Sequence, residues 1–190
     1  VGTSTNGAAA FGSSINIKSD NIQKEAYATS DNSVGSFGTM RSTLKIGTGL
    51  LNNKFTVDAR LSKINSNGYI DRASSDLSGF YLSGAWIGKK SIVKATAFGW
   101  KEITYQAWYG VPEAKLNGNK DSLVSHFYNN YYPGGTYQTS ADSINLFNSG
   151  NRTYNYYTYG NEVDHYQQNH YQLHFTHEIS NKWNFNLAGH

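Results

Sequence analysis

The 190-residue sequence contains no cysteine, only two prolines and one methionine. Without cysteine there is no disulfide framework, no thiol nucleophile and no cysteine-built zinc site. No apolar run reaches the roughly 18 residues that a transmembrane helix needs. The net charge is +3 and the basic residues are scattered singly, which is too weak a field to indicate a nucleic-acid partner.

Aromatic residues are plentiful, at 15% of the chain, and fifteen of them are tyrosines. Nineteen glycines and many Asn, Ser and Thr residues accompany them. This composition favours β-strands joined by turns, and no segment is a persuasive helix. The sequence therefore predicts an all-β, antiparallel fold.

The clearest periodicity lies near the C-terminus, where Leu173 and Phe175 alternate with His174 and Thr176. The alternation resumes after residues 180–182, which predicts a hairpin of half-buried strands. Similar hairpins turn at Asn52-Asn53 and at residues 88–90. With one strand near residues 21–33, about seven strands are predicted. The strand over residues 91–104 changes its apolar face near Gly99, where we expect a bulge.

The predicted connections alternate between tight turns and long loops, the latter at residues 65–76 and about 105–165. Short turns on one side and long loops on the other are typical of outer-membrane β-barrels. The strands also approach the roughly 9 to 11 residues that cross a bilayer. Aromatic residues at both strand ends resemble interfacial girdles, with Phe55, Trp86 and Trp183 by the turns and Tyr69, Phe80 and Tyr171 toward the loops. The charged polar face is expected to line a hydrated lumen: Arg41, Lys45, Asp58, Arg60, His174 and Glu178.

A solvent-exposed antiparallel sheet would show the same alternation. The competing hypothesis is therefore a soluble or surface-attached β-rich module that binds glycans. The position of the apolar face distinguishes the two, because lipid leaves it exposed in the fold and a sandwich buries it between sheets. About seven strands cannot close a bacterial barrel, so the barrel hypothesis requires a piece of a larger one.

Two segments carry a resemblance to a known family. Residues 10–17, Ala-Phe-Gly-Ser-Ser-Ile-Asn-Ile, follow a Ser-Thr-Asn-Gly stretch and resemble the end of the plug domain in TonB-dependent outer-membrane receptors. Residues 105–113, Tyr-Gln-Ala-Trp-Tyr-Gly-Val-Pro-Glu, resemble a segment of the third extracellular loop in such receptors from the Bacteroidetes lineage. Glycine and alanine permit close backbone approach in a plug. A flexible Gly/Ser/Thr linker is the alternative for the first segment.

The resemblance implies that residues 1–19 end a plug domain and that residues 20–190 begin a barrel of about 22 strands. It implies a receptor in the bacterial outer membrane that imports a scarce nutrient, and the ending Gly-Ser-Ser-Ile-Asn-Ile favours a siderophore or other metal chelate over a sugar. The implied partners are membrane lipid, a small-molecule ligand, and the TonB energising complex through a plug N-terminus that these residues lack. A surface lipoprotein is left open, and no cofactor is implied.

The loop at about 105–165 is the expected ligand-facing element, because tyrosine combines a large stacking surface with a hydrogen-bonding hydroxyl. The alternative is that its tyrosines pack the loop on itself. The candidate ligand-binding residues are Trp108, Tyr109, Tyr131, Tyr132, Tyr137, Tyr156, Tyr157 and Tyr159.

Neither a metal site nor an enzyme is predicted. His170 and His174 share one strand face, whereas His165 and His177 point to the other, so the four cannot converge. The sequence contains no nucleophile elbow, phosphate loop or His-Glu-x-x-His motif.

Overall fold

The computed structural model describes residues 22–190, so the predicted plug end at residues 1–19 lies outside the described part of the chain. The described residues form one antiparallel sheet whose strands follow in sequence order. Its edges are the first and last strands, and it is not closed into a barrel. The all-β prediction is therefore confirmed. The strands are β1 (Tyr27–Gly35), β2 (Thr39–Gly47), β3 (Phe55–Ser66), β4 (Ser75–Ile87), β5 (Ser91–Tyr105), β6 (Val163–Ser180) and β7 (Trp183–Gly189).

The expectation that no segment is helical is wrong for the connection between β5 and β6. This connection contains α1 (Glu113–Leu116), α2 (Lys120–Asn130) and α3 (Ser140–Asn148). The side chain of Asn119 caps α2 by accepting from the Ser122 amide, and Thr139 and Asp142 form a capping box on α3. None of the helices within residues 22–190 is long and apolar enough to cross a membrane.

Three connections of two to seven residues lie at one end of the sheet. In the β2–β3 turn, Asn52 and Asn53 both have positive φ, at 49° and 54°, a conformation that asparagine tolerates better than most residues. The other two turns join β4 to β5 and β6 to β7. The opposite end carries the loops at residues 67–74 and 106–162, together with a three-residue turn between β1 and β2. The β2–β3 connection, residues 48–54, is only one residue shorter than the 67–74 loop. The predicted alternation of short and long connections therefore fails at the first hairpin and is weak at the second.

The pairing register gives the sheet two faces of different chemistry. We call one the apolar face. Most of its large side chains are exposed, and eleven of them are between 39% and 68% exposed: Leu44, Ile46, Phe55, Val57, Leu61, Phe80, Leu82, Trp86, Tyr171, Leu173 and Leu187. The other, the polar face, buries small polar side chains, namely Thr43, Thr56, Ser83 and Thr96. This is the reverse of a water-soluble sheet, in which the apolar face is covered.

The predicted bulge near Gly99 is absent, because β5 pairs with β4 and β6 in unbroken register through this residue. Gly99 lies on the apolar face, where an added Cβ would come within 2.9 Å of the Phe80 ring. The apparent change of facing arises because Phe98 and Trp100 lie on the polar face. There both rings stack on His170, with centroid distances of 4.8 and 5.4 Å.

The hydrophobic core of the described residues lies in the β5–β6 connection instead of under the sheet. It consists of Leu123, Phe127, Tyr137, Leu146 and Tyr154. Leu123 and Phe127 are four residues apart on α2, so both fall on the same side of the helix. We call residues 106–162 the helical loop.

Candidate ligand-binding loop

The helical loop is organised around a buried lysine. The Lys115 Nζ atom donates hydrogen bonds to the carbonyl oxygens of Leu146 at 2.6 Å and Ser149 at 2.9 Å. These carbonyls lie at the C-terminal end of α3, where a cation is favoured by the helix dipole. Burial lowers the pKa of Lys115, and the charge of Asp71 opposes this effect. Lys115 therefore joins α1 to the end of α3.

A second buried polar group connects the helical loop to the β3–β4 loop. Asn155 is fully buried, and its amide nitrogen donates to the carbonyl oxygens of Asp71 at 2.8 Å and Gln106 at 3.0 Å. Its side-chain oxygen accepts from the Tyr157 amide at 3.1 Å. All three bonds are made to backbone groups, so Asn155 holds two loops together.

Arg72 strengthens the same junction from the β3–β4 loop. Its guanidinium donates to the carbonyl oxygens of Tyr157 at 3.0 Å and Asn155 at 2.9 Å, and to Asn145 Oδ1 at 3.2 Å. Arg72 has a positive φ of 66°, an uncommon conformation for a non-glycine residue. The two long loops therefore form one structural unit above the sheet.

Three of the candidate ligand-binding residues meet in one cluster. The rings of Tyr109 and Tyr156 are 4.5 Å apart between centroids, and Tyr157 lies 6.0 and 5.4 Å from them. We call these three residues the tyrosine cluster. Trp108 adjoins it in sequence and is 76% exposed. Such an arrangement presents aromatic faces and hydroxyl groups together, which suits planar or ring-shaped ligands.

The other candidate tyrosines are divided between the surface and the core. Tyr131, Tyr132 and Tyr159 are exposed, and Tyr131 stacks on Phe127 with a centroid distance of 5.1 Å. Tyr137 is only 2% exposed, and its hydroxyl lies 3.0 Å from His126 Nε2. Tyr137 thus packs inside the loop, as the alternative for these tyrosines anticipates. Tyr128 is also exposed, although it is not among the candidate ligand-binding residues. It follows the core residue Phe127 on α2 and therefore points away from the core.

The six charged residues predicted to line a lumen all lie on the polar face by their register. Lys45 is directly opposite Arg60, and His174 is opposite Lys94. Asp58 accepts from the Tyr27 hydroxyl at 2.9 Å. Arg41 and Glu178 lie further along the same face, toward opposite ends of the strands. Within the described ranges no group of three or more His, Asp or Glu residues could hold a metal ion.

No family model matches this chain, and comparison with curated proteins and with solved structures finds no significant match.

Alkaline pH is expected to destabilise the helical loop. Burial raises the pKa of Tyr137, Tyr154 and Tyr156, Tyr154 most strongly. Above about pH 10 these tyrosines ionise in the unfolded chain but stay protonated in the folded loop. Their stabilising contribution is therefore complete below pH 10 and falls as the pH rises further.

The measurement is chemical unfolding at several pH values above 10, with tyrosinate absorbance recorded in parallel. Tyr154→Phe removes one ionising group, so it should reduce the slope of the free energy of unfolding against pH by about 1.4 kcal/mol per pH unit. Tyr159→Phe, at an exposed position, is the matched control. An unchanged slope in Tyr154→Phe would contradict the assignment.

Proposed function

We propose that this chain forms part of the wall of a TonB-dependent outer-membrane receptor that binds and imports a siderophore or other metal chelate. The observation that carries the proposal is the chemistry of the sheet's two faces. The apolar face is exposed along β2 to β7, whereas the polar face holds the charged residues and the buried hydroxyl groups. A sheet between lipid and a hydrated lumen requires this distribution.

The dimensions of the apolar band support the same proposal. Phe55, Val57, Ala59 and Leu61 follow one another on the apolar face of β3, and the six residue steps from the first to the last cover about 20 Å along the strand. Trp183 and Phe185 extend the band at the turn end. Outward-facing apolar bands of outer-membrane barrels are about 25 Å tall, which corresponds to about 33 Å along a strand tilted by about 40°.

The band ends abruptly on the side of the long loops. The next row across the sheet is polar on every strand from β1 to β6, and it consists of Asn32, Ser42, Lys63, Ser78, Lys101 and Gln167. We call it the polar row. Charged side chains on a lipid-facing surface are tolerated near the interface and costly at the midplane, so a polar row on the loop side of the apolar band is compatible with a membrane boundary.

The glycan-binding module is less well supported. In a soluble sandwich a second sheet would cover the apolar face. Residues 22–190 form a single sheet, and the large apolar side chains remain exposed on it. An exposed patch of this size is unusual for a soluble monomer.

The chelate specificity rests on the helical loop. The tyrosine cluster and Trp108 lie at the sheet end that carries the long loops, which in the proposed orientation faces the cell exterior. Aromatic faces with phenol hydroxyls suit a catechol or macrocyclic chelate. Loops positioned by a rigid sheet are where binding residues are commonly found.

A spin-label experiment tests the placement of the two faces. The chain has no cysteine, so Leu82→Cys on the apolar face and Arg60→Cys on the polar face each give one labelling site. Arg60 is opposite Tyr81, the residue before Leu82, so the two labels lie at nearly the same height. In outer-membrane vesicles, the label at position 82 should be more accessible to oxygen than to a water-soluble nickel chelate, and the label at position 60 the reverse.

The glycan-module hypothesis gives a different result for the same pair. A position 82 buried between two sheets would be poorly accessible to both relaxing agents. Accessibility to the nickel chelate at position 82 would contradict the membrane proposal outright. A boiled and an unboiled sample of the outer-membrane fraction, probed with antibody against residues 115–160, give an independent check, since a barrel should show a heat-dependent shift.

A further inference from the structure

A groove of about 550 Å³ crosses the apolar face beside the polar row. One wall is apolar and consists of Leu44, Leu61 and Phe80, and Gly99 lies in the floor next to Phe80. The opposite wall is the polar row itself, from Asn32 on β1 to Gln167 on β6. The groove is therefore amphipathic across its width.

The polar wall carries two cations placed symmetrically about a hydroxyl group. Lys63 and Lys101 both pair in register with Ser78, one from each neighbouring strand. Their Cα atoms are thus two strand spacings apart, about 10 Å. Lysine side chains of this length can converge on one anion above Ser78.

The charge balance of the groove is positive. Lys63 forms an ion pair with Asp76, which lies one row further toward the loops. Lys101 is exposed, and its charge acts on the same Asp76 carboxylate. Two lysines therefore share one carboxylate, and the three side chains together keep one net positive charge.

An amphiphile whose head is anionic matches both walls. An ammonium on a lipid-facing surface is stabilised where it meets the negative headgroup layer, by about 1 kcal/mol per lysine. Leu61 and Phe80 on the other wall would contact the first carbons of the acyl chains. Free inorganic phosphate would leave this apolar wall uncovered.

We propose that the groove is a binding site for the phosphate headgroup of an anionic membrane lipid, held by Lys63, Lys101 and Ser78 with its acyl chains over Leu61 and Phe80. The inference rests on the proposed membrane location. It is distinct from the import ligand, which is expected at the helical loop.

The test uses the receptor purified in detergent, and native mass spectrometry counts the bound lipids. Phosphatidylglycerol is the anionic probe, and phosphatidylcholine with the same acyl chains is the zwitterionic control. Lys101→Gln should weaken phosphatidylglycerol binding about five-fold, the change that 1 kcal/mol produces. Asp76→Asn should act in the opposite direction and strengthen binding, because it removes the carboxylate that offsets the charges of Lys63 and Lys101.

Lys89→Gln, in the turn at the other end of the sheet, removes the same charge and should leave binding unchanged. Equal binding of phosphatidylglycerol by Lys101→Gln and the unmodified receptor would overturn the proposal. So would displacement of the lipid by millimolar inorganic phosphate, which would identify a simple anion site. The spin label at position 82 is read in the same preparation. Loss of lipid binding with the label still accessible to oxygen would contradict only the lipid site, whereas a label accessible to the nickel chelate would contradict the membrane proposal.

Discussion

Replacing Leu146 with alanine is expected to destabilise the helical loop by about 2 to 5 kcal/mol, the usual range for removing a large buried side chain. Leu146 is 0% exposed and is the only residue of α3 in the loop core. The backbone carbonyl of the same residue accepts the shorter hydrogen bond from Lys115. A cavity at this position therefore affects both the packing of α3 and the site that holds the buried ammonium.

Hydrogen exchange at the amides of α2 and α3 measures this effect directly. Ile144 provides the matched control, because it lies two residues away on the same helix and is 60% exposed. Ile144→Ala should change stability by less than about 0.5 kcal/mol. If the two variants exchanged at equal rates, the assignment of the core to the loop would be wrong.

The second large effect is expected for Asn155→Ala, which should cost about 3 kcal/mol. The substitution removes three hydrogen bonds and leaves the partly buried carbonyl groups of Asp71 and Gln106 without this donor. An unsatisfied buried polar group costs about 1 to 3 kcal/mol. Because Asn155 joins two loops, residues 67–74 and 106–162 should both lose protection against hydrogen exchange.

The control for Asn155 is Asn148, an exposed residue at the end of α3. Asn148→Ala should leave exchange in both loops unchanged. The strand amides of β3, β4 and β5 should stay protected in both variants, since the sheet pairs independently of this junction. Loss of protection in the helical loop alone would mean that Arg72 and the hydrogen bond from the Asp71 amide to the Thr153 carbonyl suffice to hold residues 67–74 in place.

The strands were predictable because side-chain direction in a strand has a period of two. The alternation of Leu173 and Phe175 with His174 is enough to assign a face, and the register agrees with it. The same rule did not show which face of β5 is apolar, because Phe98 and Trp100 are aromatic residues that lie on the polar face. Their partner His170 is on a strand more than sixty residues away, and no local pattern reports such a contact.

The helices were missed for a different reason. The capping signals were present in Asn119 with Ser122 and in Thr139 with Asp142, but each helix is short and has few apolar residues. Short helices are marginal by themselves and are stabilised by tertiary packing. Here the packing comes from Tyr137 and Tyr154, which lie outside the helices in sequence.

The tyrosines show the limit of composition as a guide to a site. A loop rich in tyrosine is compatible with ligand binding and with internal packing, and the structure contains both arrangements. Tyr137 and Tyr154 are buried in the core, whereas Tyr109, Tyr156 and Tyr157 form a cluster and Tyr132 and Tyr159 are exposed. Neighbouring residues in the chain do not differ in any way that predicts this division.

The sequence by itself determined the strand pattern, the turns at Asn52-Asn53, residues 88–90 and residues 180–182, and, except on β5, the chemical difference between the two faces, because each depends on residues within one or two positions of one another. The tertiary structure alone decided that the apolar face is exposed, that the core lies in the helical loop, and that Asn155 and Arg72 join the two long loops. Each of these depends on contacts between distant segments. The polar row also depends on distant contacts, because only the register of three strands brings Lys63, Ser78 and Lys101 side by side.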